Sequence, residues 1–110
     1  MKFPNRYNII KTNQYESGNI KIVPIRYEDR LLIMRWRNEQ MYHLRQQKKL
    51  TETDQNHYFG TIVSKLFDAH QPNQLLFSYL QDDVCIGYGG LVHINWKDKN
   101  AEISFIIDPK

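Results

Sequence analysis

A chain of 110 residues with 15 Lys and Arg against 12 Asp and Glu, net charge +3, 41% hydrophobic and 13% aromatic, has the composition of one packed domain and not of a disordered segment. No stretch approaches the ~18 apolar residues of a membrane span, and residues 1–10 hold no apolar signal core, which points to a soluble cytoplasmic protein with no membrane partner. The lone thiol, Cys85, cannot close an internal disulfide and suits a reducing compartment.

Residues 1–19 are mainly polar around Tyr7, Ile9 and Ile10, with turn formers at Asn13 and Ser17-Gly18-Asn19. They form either a short strand or an arm ahead of the main unit, residues 20–110. Ile20, Ile22, Val23 and Ile25 make a strand interrupted by Pro24. A proline removes one ladder donor, so this strand is expected at a sheet edge. Glu28 or Asp29 then opens a helix through Asn38, with Leu32, Ile33 and Trp36 on one face and acids in its first turn to suit the helix dipole. Thr51-Glu52-Thr53-Asp54 has the form of a capping box. The helix it starts carries Phe59, Ile62, Val63, Leu66 and Phe67, an i, i+3, i+4, i+7, i+8 stripe.

After Gln71-Pro72-Asn73 comes a meander: an apolar run at 75–80, a tight turn at Asp82-Asp83, a long run at 84–96, a polar turn at 97–100 and a third strand at 101–107. The order strand, helix, helix, strand, strand, strand predicts an α+β fold, with a mostly antiparallel sheet covered by helices on one face. Asp108-Pro109-Lys110 follows the last strand. A proline there is expected to introduce a further loop and element, so the reading is of a domain that stops early. Strand 101–107 is then an edge with free N–H and C=O groups, through which the chain could pair with a second copy.

Few residues carry chemistry by spacing alone. His43, His57, His70 and His93 lie more than ten residues apart with no Cys pair among them, so no metal is expected. Gly87-Tyr88-Gly89-Gly90 falls inside a strand and marks a bulge or a close backbone approach in preference to a phosphate loop. Cys85 has no His or Asp at a telling local spacing and reads as a buried small hydrophobe. Residues 26–49 hold seven basic side chains against three acidic ones. That segment is either a solvated helix face or an anion-attracting patch. The balance is too mild, and the strands too poor in aromatic-basic motifs, to favour a nucleic-acid partner. Trp36-Arg37-Asn38 puts an aromatic plane, a guanidinium and an amide at a helix end. There they form either a cleft wall or a core Trp with a C-capping Asn. Tyr58 either points into the same cleft or flanks the core.

The element order, together with Ile25-Arg26, Met34-Arg35-Trp36-Arg37-Asn38, Thr51-Glu52-Thr53-Asp54-Gln55 with Tyr58-Phe59, Ile86-Gly87-Tyr88-Gly89-Gly90-Leu91 and the run from Asn100 to Pro109, resembles the GNAT superfamily of acyl-CoA-dependent N-acetyltransferases. The similarity leans toward the branch of ribosomal-protein N-terminal and nucleotide-sugar amine acetyltransferases and covers residues 20–110, the N-terminal half of such a domain. It implies acetyl-CoA as cosubstrate and a small-molecule or peptide amine as acceptor. By resemblance, backbone groups of Phe105, Ile106 and Ile107 would pair with the pantetheine arm and polarise the thioester, their side chains lying in the core. Glu102 is the candidate base or substrate anchor, against the plain alternative of a solvated carboxylate. Trp36, Arg37, Asn38, Tyr58 and Tyr88 would line the acceptor site. The Gln/Arg-x-x-Gly-x-Gly/Ala loop that holds the coenzyme pyrophosphate in that family has no counterpart in these 110 residues. The chain alone is therefore expected to be inactive. A rival expectation is a non-enzymatic module that pairs through its exposed sheet edge.

Overall fold

The computed structural model describes residues 3–41 and 48–107. His43, Arg45 and the 108–110 end lie outside the described residues. Five strands, β1 (Tyr15–Ser17), β2 (Ile20–Pro24), β3 (Leu75–Gln81), β4 (Val84–Asn95) and β5 (Asn100–Ile107), form one sheet in the order of the chain, every neighbouring pair antiparallel. Asp82 and Asp83 both take positive φ, 51° and 67°, the twist-matched geometry of a two-residue hairpin joining β3 to β4.

Between β2 and β3 come a 3-10 turn (Tyr27–Asp29), α1 (Arg30–Glu39) and a second helix, α2 (Glu52–Tyr58). The last runs on through a π-helical stretch, Phe59–Val63, into a final α turn, Ser64–Leu66. The expected capping box forms at its start: the Thr51 hydroxyl accepts from the Asp54 N–H at 3.1 Å and the Asp54 carboxylate accepts from the Thr51 N–H at 3.0 Å. Phe59, Val63, Leu66 and Phe67 are buried, as the apolar stripe requires, but Ile62 is 47% exposed. The wider π turn explains that correction. With more residues per turn, Val63 and not Ile62 comes back beneath Phe59.

A second correction concerns β2. It is not an edge strand, since β1 pairs with it at Ile20, Lys21 and Ile22. Pro24 is tolerated because β1 stops short of it, and its nitrogen faces no partner strand on that side. The N-terminal residues are both an arm and a strand. Tyr7 is fully buried, its ring stacked on Phe67 at 4.2 Å between centroids. The Asn13 side chain accepts from the Tyr7 N–H at 2.7 Å, pinning the arm's bend.

The helices cover one face of the sheet. Ile33, Trp36, Phe59 and Val63 meet Leu76, Tyr88 and Ile106 there in a single buried cluster. Register and pleat put Leu91, Ile103, Phe105 and Ile107 on the opposite face, where they are 39%, 79%, 64% and 44% exposed. Of the three residues read as core by resemblance, only Ile106 is buried, because the other two alternate to the uncovered face. The glycines of β4 make a close approach. A Cβ at Gly87 would come within 2.7 Å of the Ile106 carbonyl oxygen, and one at Gly89 would run into that of Ser104. One bulge abuts that run, between Cys85 and Gly87 opposite Tyr79/Leu80, and a second irregularity lies between Val92 and Asn95, where His93 has φ 51°.

Candidate functional site

Where α1, α2 and strands β3 to β5 converge, they leave a cavity of about 320 Å³. Its floor is apolar, from Ile25, Ile33, Phe59, Leu76 and Ile106. Hydroxyl and cationic groups stand above that floor. Arg37 and Tyr88 reach in from α1 and β4, and the Arg37 Nη1 donates to the Tyr88 hydroxyl at 2.9 Å. Tyr88 is 8% exposed, and burial pushes its pKa above the ordinary phenol value against the opposing pull of Arg37. Tyr58, the last residue of α2, accepts from Gln74 Nε2 at 3.4 Å. Asp54 also lines the cavity. The capping hydrogen bonds from Thr51 hold its carboxyl below the usual carboxylate range.

A second, more polar hollow of about 460 Å³ adjoins the first. Arg37, Gln74, Val92 and Ser104 line both, so the guanidinium stands in their shared wall.

The structure thus brings Arg37, Tyr58 and Tyr88 together, with Phe105 and Ile106 on the β5 side. Trp36 does not join them. It is fully buried on the core side of α1, with its indole N–H unpartnered among the described residues. Asn38 is engaged elsewhere, as its amide donates to the Leu50 carbonyl at 3.0 Å and accepts from the Leu50 N–H at 2.8 Å. That clasp returns the chain to the cavity, which Leu50 lines. Glu102 is exposed and lies outside both linings, but its cross-strand neighbour Val92 lines both. Directly opposed residues share a face, so Glu102 stands on the cavity side, one pleat beyond Ser104. Ile107 is at the outer end of β5, paired with Gly87.

Two cavity residues, Ser104 and Gln74, escape a reading of motifs. Ser104 could have been found from the strand's alternation with Ile106. Gln74 carries no sequence signal, since it follows a turn and its position depends on where β3 begins. Among the described residues no group of three His, Cys, Asp or Glu side chains gathers to hold a metal. β5 pairs only with β4 among the described strands, so its other edge presents N–H and C=O groups beside the cavity.

No curated protein matches the chain. Residues 22–110, by contrast, match the family described as acetyltransferase (GNAT) domain, and the two-helix, five-strand α+β arrangement is that expected of it. That match spans most of the sequence, from β2 to the last residue, and takes in every side chain of the cavity. The chain belongs to the acetyltransferase (GNAT) domain family.

Proposed function

We propose that this chain serves in the transfer of an acetyl group from acetyl-CoA to a primary amine on a small molecule or peptide, in the manner of the branch that acetylates ribosomal-protein N-termini and nucleotide-sugar amines. Family membership supports an acetyltransferase of the acyl-CoA type. The observation that carries the finer reading is the edge of β5 that no other described strand pairs, beside a cavity floored by apolar side chains. A slender amide-bearing arm can add to such an edge as a further strand would. Phe105, Ile106 and Ile107 would hold it by their backbone groups.

Bound there, acetyl-CoA would supply the thioester carbonyl that an amine attacks. The chain's own residues do the rest. Fixed backbone N–H donors on β5 favour charge developing on an oxygen, because they need no reorganisation. Phe59, Leu76 and Ile106 keep water from the floor of the site. Glu102, on the cavity face beyond Ser104, would take the ammonium proton, directly or through water, or anchor the amine. Tyr58, Tyr88 and Arg37 orient the acceptor. A reduced, cytoplasmic setting fits the single buried Cys85. Because the pyrophosphate loop of the family has no counterpart in the sequence, we propose that these 110 residues do not turn over by themselves.

Amide chemical shifts recorded during titration with millimolar acetyl-CoA test the reading. Shifts concentrated at Phe105, Ile106 and Ile107 are expected, with no thiol release when an amine is added. Shifts confined to other parts of the sheet would overturn the cofactor assignment, and sustained turnover would overturn the proposal that these 110 residues do not turn over by themselves.

A second reading rests on the exposed apolar face of β5, where Ile103 is 79% and Phe105 64% exposed. A chain that pairs with a copy of itself through this strand would sediment as a dimer, and Ile103→Lys would return it to a monomer. A monomer at all accessible concentrations excludes that reading.

A further inference from the structure

The polar groups of the cavity are unequal in kind. Arg37 makes one side-chain hydrogen bond among the described residues, to the Tyr88 hydroxyl, and forms no ion pair there. A guanidinium has five N–H donors, so most of its donor capacity is unused. The Tyr88 oxygen accepts from Arg37, which leaves its own O–H to donate. Tyr58 is in the same state, its oxygen accepting from Gln74 and its O–H left to donate. The Ser104 hydroxyl has no hydrogen-bond partner among the described residues and lines both hollows with Arg37. Against these donors the cavity lining sets one carboxylate, Asp54, already engaged by the Thr51 N–H, while Glu102 lies on the same face beyond Ser104 and outside the lining.

We propose that Arg37, with the Tyr88 hydroxyl, forms an oxyanion anchor that selects acceptors carrying a carboxylate or phosphate group in addition to the amine. This rests on the acceptor-site reading above but not on turnover. A guanidinium left half-satisfied beside an apolar floor gains most from a group that brings two acceptor oxygens and a compensating charge. Tyr88 makes the site specific. Its oxygen fixes one nitrogen of the guanidinium, so the remaining edge of the fork is held in one orientation, and its O–H supplies a further donor. Arg37 lies in the wall between the two hollows, so an amine held there by its anionic end can reach toward β5 from the polar side.

The test is equilibrium binding to the full 110-residue chain, followed by the Arg37 Nε–Hε shift and by calorimetry. The probes are alanine, O-phosphoethanolamine and, as the neutral control, alaninamide. One charge-assisted contact corresponds to about tenfold in affinity or more, so one or both anionic amines are expected to bind about tenfold tighter than alaninamide and to move the Arg37 signal. Which of the two binds tighter separates a carboxylate from a phosphate as the recognised group. Arg37→Gln should abolish the preference, and Tyr88→Phe, which keeps the ring, should reduce it about threefold or more with the thermal midpoint little changed. Equal affinity for all three probes, or a preference that survives both substitutions, overturns the proposal. Failure of acetyl-CoA to shift β5 would sink the transferase reading and leave this measurement standing.

Discussion

Tyr7 and Leu76 are joined the way two strand residues are. The Tyr7 hydroxyl donates to the Leu76 carbonyl at 2.7 Å and accepts from the Leu76 N–H at 2.9 Å, across 69 positions of sequence. A side chain thus continues the sheet where β2 ends, next to the Ile25 N–H that also reaches the Leu76 carbonyl. The arm is part of the fold and not an appendage to it.

Tyr7→Phe should cost about 1–3 kcal/mol, the penalty for leaving the buried Leu76 N–H without an acceptor. The carbonyl keeps Ile25 as a partner, so the donor alone is orphaned. Urea denaturation with an unchanged m-value is the measurement. Equal stability of the two proteins would mean that water replaces the hydroxyl.

Glycine substitutions should sort by backbone geometry. Gly90 has φ 147°, and a Cβ there would collide with the Leu75 carbonyl oxygen, so Gly90→Ala should lose about 3 kcal/mol or more. Gly18, at φ 61° with open space around it, should lose only about 1 kcal/mol. Gly60→Ala, in the helix with nothing near its Cβ, should gain about 0.5–1 kcal/mol. Three thermal melts decide the order, and a Gly60→Ala variant less stable than the parent would contradict it.

Trp36 and Arg37 are adjacent yet should respond in opposite ways. Trp36→Ala opens a large void in the core and is expected to cost about 3–5 kcal/mol. Arg37→Gln should leave the melting temperature within a few degrees, because its one side-chain hydrogen bond among the described residues is to Tyr88. A well-folded Trp36→Ala protein that has lost ligand binding would show that the indole belongs to the site after all.

The Cys85 thiol is buried, donates to the Gly87 carbonyl at 3.3 Å, and has its pKa pushed up to about 11 from 9.0, chiefly by burial and then by the nearby Asp29 charge. The folded chain therefore keeps a proton that the unfolded chain gives up, so stability is full below pH 9 and declines as pH rises toward about 11. Burial raises Tyr79 and Tyr88 in the same direction. Thermal midpoints between pH 8 and 11 should fall, and Cys85→Ala should flatten the first part of that fall. Native-state alkylation at pH 8 should be slow and become fast only in denaturant. Rapid labelling of the folded protein would show the thiol to be accessible.

How much of this was legible in the residues depends on the range of the interaction. Thr51 and Asp54 announce their capping box because the two hydrogen bonds span three positions. Asp82-Asp83 announces its turn because short polar side chains tolerate positive φ. The alternation in β5 separates Ser104 and Ile106 from Ile103, Phe105 and Ile107 because the pleat is local, but which of the two faces is covered depends on where the helices pack, so Phe105 and Ile107 were misread as core. The helix order, the meander and the family resemblance all follow from such short-range signals. Pro24 misled, because whether a strand is an edge depends on how far its neighbour extends. Ile62 misled because a π turn changes the period on which the stripe was counted.

The sequence by itself determined the elements, their order and the antiparallel hairpins, because propensity, capping and turn chemistry act over a few residues. Only the tertiary structure decided that Tyr7 closes the sheet at Leu76, that Asn38 clasps Leu50, and that Arg37 meets Tyr88 at the wall of a cavity. Those are contacts between positions 12 to 69 apart, chosen by which faces must be buried together. No local pattern encodes them.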